Sequence, residues 1–326
     1  MTYAELSRRS QIRRMRGAAR RALADYGLDD ADLRVVNHDF NTTFRVTASD
    51  GRRAALRINV NSRFGPDEVA AEAEWVGALG RESDVGVPPL VPTLDGRAAT
   101  STTCPGIDRP LAAILYGWID GRDLGQPAPI RGLEALGRSA ALLHTHAEGW
   151  RSPAIARRPD QAMPLMGEPD RLTVPDRRIT AARRSVLTDA LAMITELTAA
   201  EFAQPGLLVH ADLHVWNARW SRGELTVFDF DDCGLGTRLQ DLAISAYYLR
   251  DQPGAEAALL RGYEQVRPLP DHDPEVFEAL VASRNLLLLN DVLENVTADM
   301  ADFLPGYIQR TVARMRRYLK TGRFEL

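Results

Sequence analysis

Hydrophobic positions change their period along this chain, and the changes mark its parts. Ile12, Met15, Ala19, Ala22 and Tyr26 recur at helical spacing, so an amphipathic helix opens the sequence. The texture then shortens. Leu33–Asn37, Thr42–Thr47 and Arg53–Val60 read as strands, with Ser49-Asp50-Gly51 as a hairpin turn between the last two. Pro66, beside Asp67 and Glu68, opens a helix whose buried stripe is Val69, Ala73, Val76 and Leu79. Asp95-Gly96 predicts a second hairpin turn, and Leu111–Trp118 a buried strand. Beyond Gly121 the pattern is mostly helical: 133–146, 177–200 and 239–319, the last punctuated at Pro253, Pro268, Pro270 and Pro305. Leu207–Val209 and Leu225–Phe228 are short apolar strands around a polar loop, and the proline-rich residues 152–175 read as a surface insertion. A strand-rich part over 1–116 and a helical part over 117–326 make an α+β plan.

Composition narrows the function classes. Charged residues make up 26% and the net charge is -4, which does not suggest nucleic acid as a partner. No apolar run is long enough to span a bilayer. Cys104 and Cys233 form no CxxC pair, which indicates neither a zinc ribbon nor a disulfide framework and fits a cytoplasmic setting. The first helix carries Arg8, Arg9, Arg13, Arg14, Arg16, Arg20 and Arg21. A transit peptide has that look too, but this helix runs straight into a folded pattern at Leu28-Asp29-Asp30. Lys320 is the only lysine, so a Walker A loop and lysine Schiff-base chemistry are excluded from the body of the fold.

Chemistry concentrates in one stretch. After the strand ending at Val209 come His210, Asp212 and Asn217, and the next strand delivers Asp229. Loops at strand ends are where catalytic groups are displayed. Two carboxylates and an amide oxygen suit magnesium-assisted phosphoryl transfer, because Mg²⁺ takes hard oxygen ligands and few carboxylates. Asn217 and Asp229 can supply the oxygens, and Asp212 can accept the proton of an attacking hydroxyl. His-x-Asp-x-x-x-x-Asn followed by Phe-Asp-Phe-Asp has kinase catalytic-loop and metal-loop spacing. A rival reading takes His210, Asp212 and His214 as the metal ligands of a hydrolase. A third keeps the fold as a binding module without catalysis.

These motifs, with Leu239-Gln-Asp241-Leu-Ala, resemble the aminoglycoside phosphotransferase/choline kinase family of small-molecule kinases, over roughly 30–320. The resemblance implies a protein kinase-like bilobal fold, ATP and Mg²⁺ as cofactors, and transfer of the γ-phosphoryl group to a hydroxyl. Asp212 then corresponds to the base, Asn217 and Asp229 to the metal ligands, and Asp241 to a buried brace. The family usually has glycine where Ala211 stands. Arg57 stands at the phosphate-binding position of the third strand, with Glu72 its helix partner and Glu74 the fallback. Asp39-Phe-Asn41-Thr42-Thr-Phe resembles the loop over the phosphates. Tyr116-Gly117-Trp118-Ile119 resembles the hinge, where the backbone of Gly117 and Ile119 would read adenine. His210 is expected to orient the loop; His214 either approaches the phosphate or packs.

The acceptor is less defined. Residues 271–302 hold Asp271, Asp273, Glu275, Glu278, Asp291, Glu294, Asp299 and Asp302 against Arg284 alone, and Asp231 and Asp232 adjoin the metal loop. Such a field would draw a small cationic hydroxyl acceptor, with Asp231, Asp232, Asp291 and Glu294 as its ligands. Within the family, aminoglycoside-like antibiotics, homoserine, choline, ethanolamine and methylthioribose are alternatives. A stress-response protein Ser/Thr kinase is a further one, since Glu72-Ala-Glu-Trp and Val87-Pro-Pro resemble the homoserine kinase-like and stress-kinase branch as much as the aminoglycoside one.

Overall fold

The computed structural model describes residues 2–61, 64–295 and 297–326; the side chains of 298 and Asp299 lie outside the described residues. Two compact units emerge. The first comprises 1–81, 88–119 and 294–303, and the second 82–87, 120–293 and 304–326.

The first unit is built on an antiparallel sheet of β1 (Asp32–His38), β2 (Thr42–Thr47), β3 (Arg53–Ile58), β4 (Thr100–Cys104) and β5 (Ile107–Gly117), in the order β1-β2-β3-β5-β4. The alternation in β2 places Phe44 and Val46 in the core. Helix α1 (Arg8–Ala24) buries Met15, Ala18, Ala19, Ala22 and Leu23 in that same core. Three of its arginines tie it to neighbouring backbone: Arg14 donates to the Pro105 carbonyl (2.8 Å), Arg20 to that of Asp29 (2.6 Å) and Arg21 to that of Thr103 (2.5 Å). The Arg-rich segment is thus an integral helix of this unit. Helix α2 (Pro66–Glu82) buries Glu72 along with Val69, Trp75, Val76 and Leu79. The turn at Asp95-Gly96 forms, closed by Thr93 N–H on Arg97 O (2.9 Å), but it joins no two sheet strands. The hairpin turns instead at Pro105-Gly106, where Gly106 has φ +91°.

The second unit contains β6 (Arg122–Asp123), α3 (Ile130–Gly149), α4 (Ala181–Phe202), β7 (Leu207–Val209), β8 (Ala218–Ser221), β9 (Glu224–Val227), β10 (Gly234–Gly236), α5 (Arg238–Tyr247), α6 (Ala255–Glu264) and α7 (Pro274–Glu294). Helix α8 (Ala298–Thr321) continues through Pro305, so the chain does not break there as the sequence pattern suggested. Helices α3 and α6 cross so closely that a Cβ on Gly137 would lie 1.9 Å from the Leu259 carbonyl oxygen. Two short ribbons, β6-β8-β9 and β10-β7, carry the loops that matter chemically.

The irregular residues 152–175 do not form a loose insertion. Leu235 N–H donates to Pro159 O (2.8 Å) and Gln161 N–H to Leu235 O (2.7 Å), so the segment adds to the edge of β10. Buried Arg158 donates to the carbonyls of Asp231 (2.8 Å) and Cys233 (2.7 Å), and Gln161 to that of Asp232 (2.5 Å). Ser283 on α7 donates to the Pro164 carbonyl (2.6 Å). The segment therefore holds the loop after Asp229 in place.

Candidate active site

The second unit gathers the catalytic-loop motif. Chain reversal after β7 puts Ala211 at φ +64°, a left-handed conformation that glycine tolerates better. The buried Asp241 carboxylate holds that turn. Its Oδ1 accepts the Ala211 N–H (2.7 Å), and its Oδ2 accepts the His210 N–H (3.4 Å) and the His144 ring (3.0 Å). The other nitrogen of His144 meets the Tyr263 hydroxyl at 3.0 Å. Burial works against the Asp241 charge, yet the His144 bond, nearby charges and the Ala211 amide bring its pKa below the ordinary value.

His210 is a structural residue. Its Nε2–H donates to the Phe228 carbonyl (3.2 Å), and its Nδ1 accepts the Asp212 N–H (3.3 Å). Burial lowers its pKa, in keeping with that neutral tautomer. With both nitrogens occupied by backbone, His210 has none left for a metal. Nor do the described residues contain a group of three His, Cys, Asp or Glu able to hold one. The hydrolase reading of His210, Asp212 and His214 is therefore not supported by the geometry.

Asp212 and Asn217 are brought together. The Asn217 Nδ2 donates to the Asp212 carbonyl (3.0 Å) and to its Oδ2 (2.9 Å). That orientation turns the amide oxygen of Asn217 away from Asp212, which is what a hard cation requires. Asp229 follows β9 at φ +66°, a conformation that aspartate tolerates better than most residues. An amide oxygen and a carboxylate fit a magnesium ion that completes its shell with phosphate and water.

Sequence reasoning missed the cation at this site. Arg284, the one basic residue in the acidic run, lies buried on α7 with its Nη2 on Asp212 Oδ1 and 3.0 Å from the Tyr248 hydroxyl. Tyr248 Oη itself reaches Asp212 Oδ1 at 3.4 Å. Burial would raise the Asp212 pKa, but the Arg284 charge and the His214 hydrogen bond hold it well below the ordinary range. Asp232 is raised well above that range by burial and by Asp212 and Asp231. Asp291, half-buried on α7, is pushed up to about 7 by burial, with Arg284 opposing. The only hint in the sequence was a lone arginine among eight acids.

The remaining acids do not form one field. Glu278 pairs with Arg250 (2.8 Å), Asp273 caps α7 by accepting the Glu275 N–H (2.9 Å), and Glu294 ends α7 exposed, without the burial of Asp291. Asp231 is half-buried beside Asp232, and its carbonyl is held by Arg158.

In the first unit, Arg57 and Glu72 meet at 2.5 Å with side chains 7% and 0% exposed, so the fallback Glu74 is not needed. Arg57 Nε also donates to Asn59 Oδ1 (3.2 Å), and the Tyr116 hydroxyl donates to Glu72 Oε1 (3.1 Å). Thr42 is buried with its hydroxyl on the His38 ring (2.9 Å), while the Asn41 carbonyl accepts the Asp39 N–H (3.2 Å). Asn41 lies in the β1–β2 turn and Thr42 opens β2. At the expected hinge, two amides are engaged within the unit. Gly117 N–H donates to Pro89 O (2.7 Å) and Trp118 N–H to Arg53 O (3.2 Å), so neither amide is open to a base. A Cβ on Gly117 would lie 2.6 Å from the Pro89 ring, which explains the glycine. Ile119 ends this stretch of the unit.

A profile of the phosphotransferase enzyme family matches residues 32–275. The chain belongs to this family. Amicoumacin kinase of Bacillus subtilis is 26% identical over 233 residues, 69% of this chain and 66% of that one. The microcompartment-associated aminopropanol kinase superposes with TM-score 0.73 at 26% identity, over 94% of this chain and 98% of that one. Amicoumacin kinase hAmiN, in complex with AMP-PNP, Ca²⁺ and Ami, superposes with TM-score 0.66 at 20% identity, over 86% and 88%. As a member of the phosphotransferase enzyme family, the chain is a phosphotransferase acting on a hydroxyl acceptor, with the fold of the protein kinase-like small-molecule kinases. Nucleotide and divalent cation are the cofactors consistent with that membership.

Proposed function

We propose that this protein transfers the γ-phosphoryl group of ATP to a hydroxyl of a small amine-bearing acceptor, an amino-alcohol or an aminated antibiotic. The observation that carries the reading is the Asp212–Asn217 bond at 2.9 Å, which presents a carboxylate to the acceptor side and leaves an amide oxygen for a cation. Asp212 accepts the proton of the attacking hydroxyl. Asn217 and Asp229 would hold Mg²⁺, which when bound neutralises phosphate charge. Arg57, anchored by Glu72, binds phosphate; Asn41 and Thr42 line the nucleotide side, with the carbonyls of Gly117 and Trp118, whose amides are taken, and the backbone of Ile119. Catalysis rests on positioning and charge stabilisation rather than on a covalent intermediate.

The amine preference is supported by Asp232 and Asp291. Both are carboxyls whose pKa burial has raised, so both gain from an ammonium group that restores their charge. The aminopropanol kinase likeness points the same way.

The test is an ATP-consumption screen with Mg²⁺ against amino-alcohols, aminated antibiotics, neutral sugars and a generic protein, with Asp212→Asn alongside. An aminated acceptor should be phosphorylated, and Asp212→Asn should lower kcat by roughly 10²–10⁴-fold. Phosphorylation of the protein alone would favour the stress-kinase reading, and full turnover by Asp212→Asn would refute the assignment of the base.

A further inference from the structure

The Asp212 carboxylate is fully engaged before any acceptor arrives. An ionised carboxylate offers about four acceptor positions. Oδ1 meets Arg284 Nη2 and the Tyr248 hydroxyl at 3.4 Å; Oδ2 meets Asn217 Nδ2 at 2.9 Å and His214 Nε2 at 3.4 Å. His214 Nδ1 accepts the Trp216 N–H (3.1 Å), which leaves the ring proton on Nε2, directed at Asp212. Asp212 itself is one-fifth exposed, so solvent can reach its surroundings.

Tyr248 is the unusual member of this set, because it is an alcohol on the base. Arg284 Nη2 donates to the phenol oxygen at 3.0 Å, so the phenol proton is free to point toward Asp212 Oδ1. The ring is fixed from two sides: it packs on His214 with centroids 4.1 Å apart, and the Arg284 guanidinium lies 5.7 Å from its centre. Gln126 Nε2 holds its carbonyl as the chain leaves α5. The hydroxyl thus stands at the station an acceptor hydroxyl needs, by one of the two longest contacts in the set.

We propose that Tyr248, positioned by Arg284, is a resident cap on Asp212 that determines specificity for an alcohol acceptor over water. This rests on the phosphotransferase reading above. An acceptor held elsewhere by its amine has binding energy with which to displace the phenol; a water molecule has only its own hydrogen bonds. With the acceptor in place, its hydroxyl proton passes to Asp212, its oxygen bonds to the γ-phosphorus, the bond to the β–γ bridging oxygen breaks and ADP leaves. Water at the same station would give ADP and inorganic phosphate by the same bond changes.

Tyr248→Phe keeps the ring on His214 and removes the one oxygen, leaving room for water beside Asp212. Phosphate release from Mg-ATP without acceptor should rise about tenfold, equivalent to about 1.4 kcal/mol. The rise should vanish in the Tyr248→Phe/Asp212→Asn double variant. No rise in a Tyr248→Phe protein that binds Mg-ATP by calorimetry, or a rise that survives Asp212→Asn, overturns the proposal. Should Tyr248→Phe fail to fold, Arg284→Lys, which keeps the charge but moves the one nitrogen that meets both partners, carries the same expectation and the same refutation. A wild-type protein that neither binds Mg-ATP nor phosphorylates any acceptor in the screen overturns the phosphotransferase reading instead.

Discussion

Asp291→Asn should stabilise the protein and impair it at once. Asp291 is a half-buried carboxyl whose pKa is pushed from 3.8 up to about 7, by burial first and with Arg284 opposing. The native state therefore holds a proton between pH 4 and 7 that the unfolded state has released, and stability falls as pH rises through that window. The gap from 3.8 to about 7 corresponds to about 4 kcal/mol at about 1.4 kcal/mol per pH unit. Partial exposure screens the group and brings the expected figure to about 1–2 kcal/mol. Asparagine does not titrate. The Tm difference between Asp291→Asn and wild type should therefore be small at pH 4, widen with pH, and level off above pH 7 at about 1–3 °C. Differential scanning fluorimetry across pH 4–8 measures it. The same variant should raise KM for an aminated acceptor and leave KM for ATP unchanged. A Tm difference that is flat or shrinks with rising pH would refute the burial argument, and an unchanged acceptor KM would remove Asp291 from the acceptor site.

Three further outcomes follow from buried partners. Asp241→Ala leaves the Ala211 amide and the His144 ring without their acceptor and should cost about 3 kcal/mol in urea unfolding, with kcat falling as the turn at Ala211 relaxes. Arg57→Met strands the Glu72 carboxylate, which is 0% exposed; it should cost about 3–5 kcal/mol and weaken ATP binding, whereas Arg57→Met/Glu72→Gln should recover most of the stability and none of the ATP affinity. Gly137→Ala drives a methyl group into the Leu259 carbonyl and should lower Tm by several degrees, about 1–3 kcal/mol, with KM values unchanged.

What the sequence disclosed was whatever depends on spacing within one segment. The alternation in β2, the proline start of α2 and the Asp212-to-Asn217 interval each reflect a local constraint, and each has its structural counterpart. Long-range partners were not legible. Arg284 lies 72 residues from Asp212, and no periodicity marks an arginine that turns inward from a helix with apolar residues nearly all round. The long-range contacts of residues 152–175 were hidden for a related reason. Proline and polar composition predicts exposure, but here the polar groups of Arg158 and Gln161 satisfy carbonyls of the loop after Asp229. Pro305 was read as a stop, yet α8 carries it internally, since one missing amide is tolerable where the rest of a long helix is packed.

The buried ionic cluster has a consequence for how acceptor binding and stability are coupled. Arg284 neutralises Asp212, while Asp232 and Asp291 remain as carboxyls with raised pKa and, among the described residues, no ion pair. Replacing these groups by apolar residues would relieve a desolvation cost, so the fold gains little from them. Their retention is intelligible if the missing positive charge comes with the acceptor. Binding would then release protons from Asp232 and Asp291 and stabilise the second unit by mass action. The free protein would be least stable, relative to its bound form, at the higher pH where both carboxyls are driven to ionise. Conserving the charge balance thus ties the chemistry of the acceptor to the electrostatics of the empty site, and the same arginine that completes Asp212 leaves the other two acids in need of a partner.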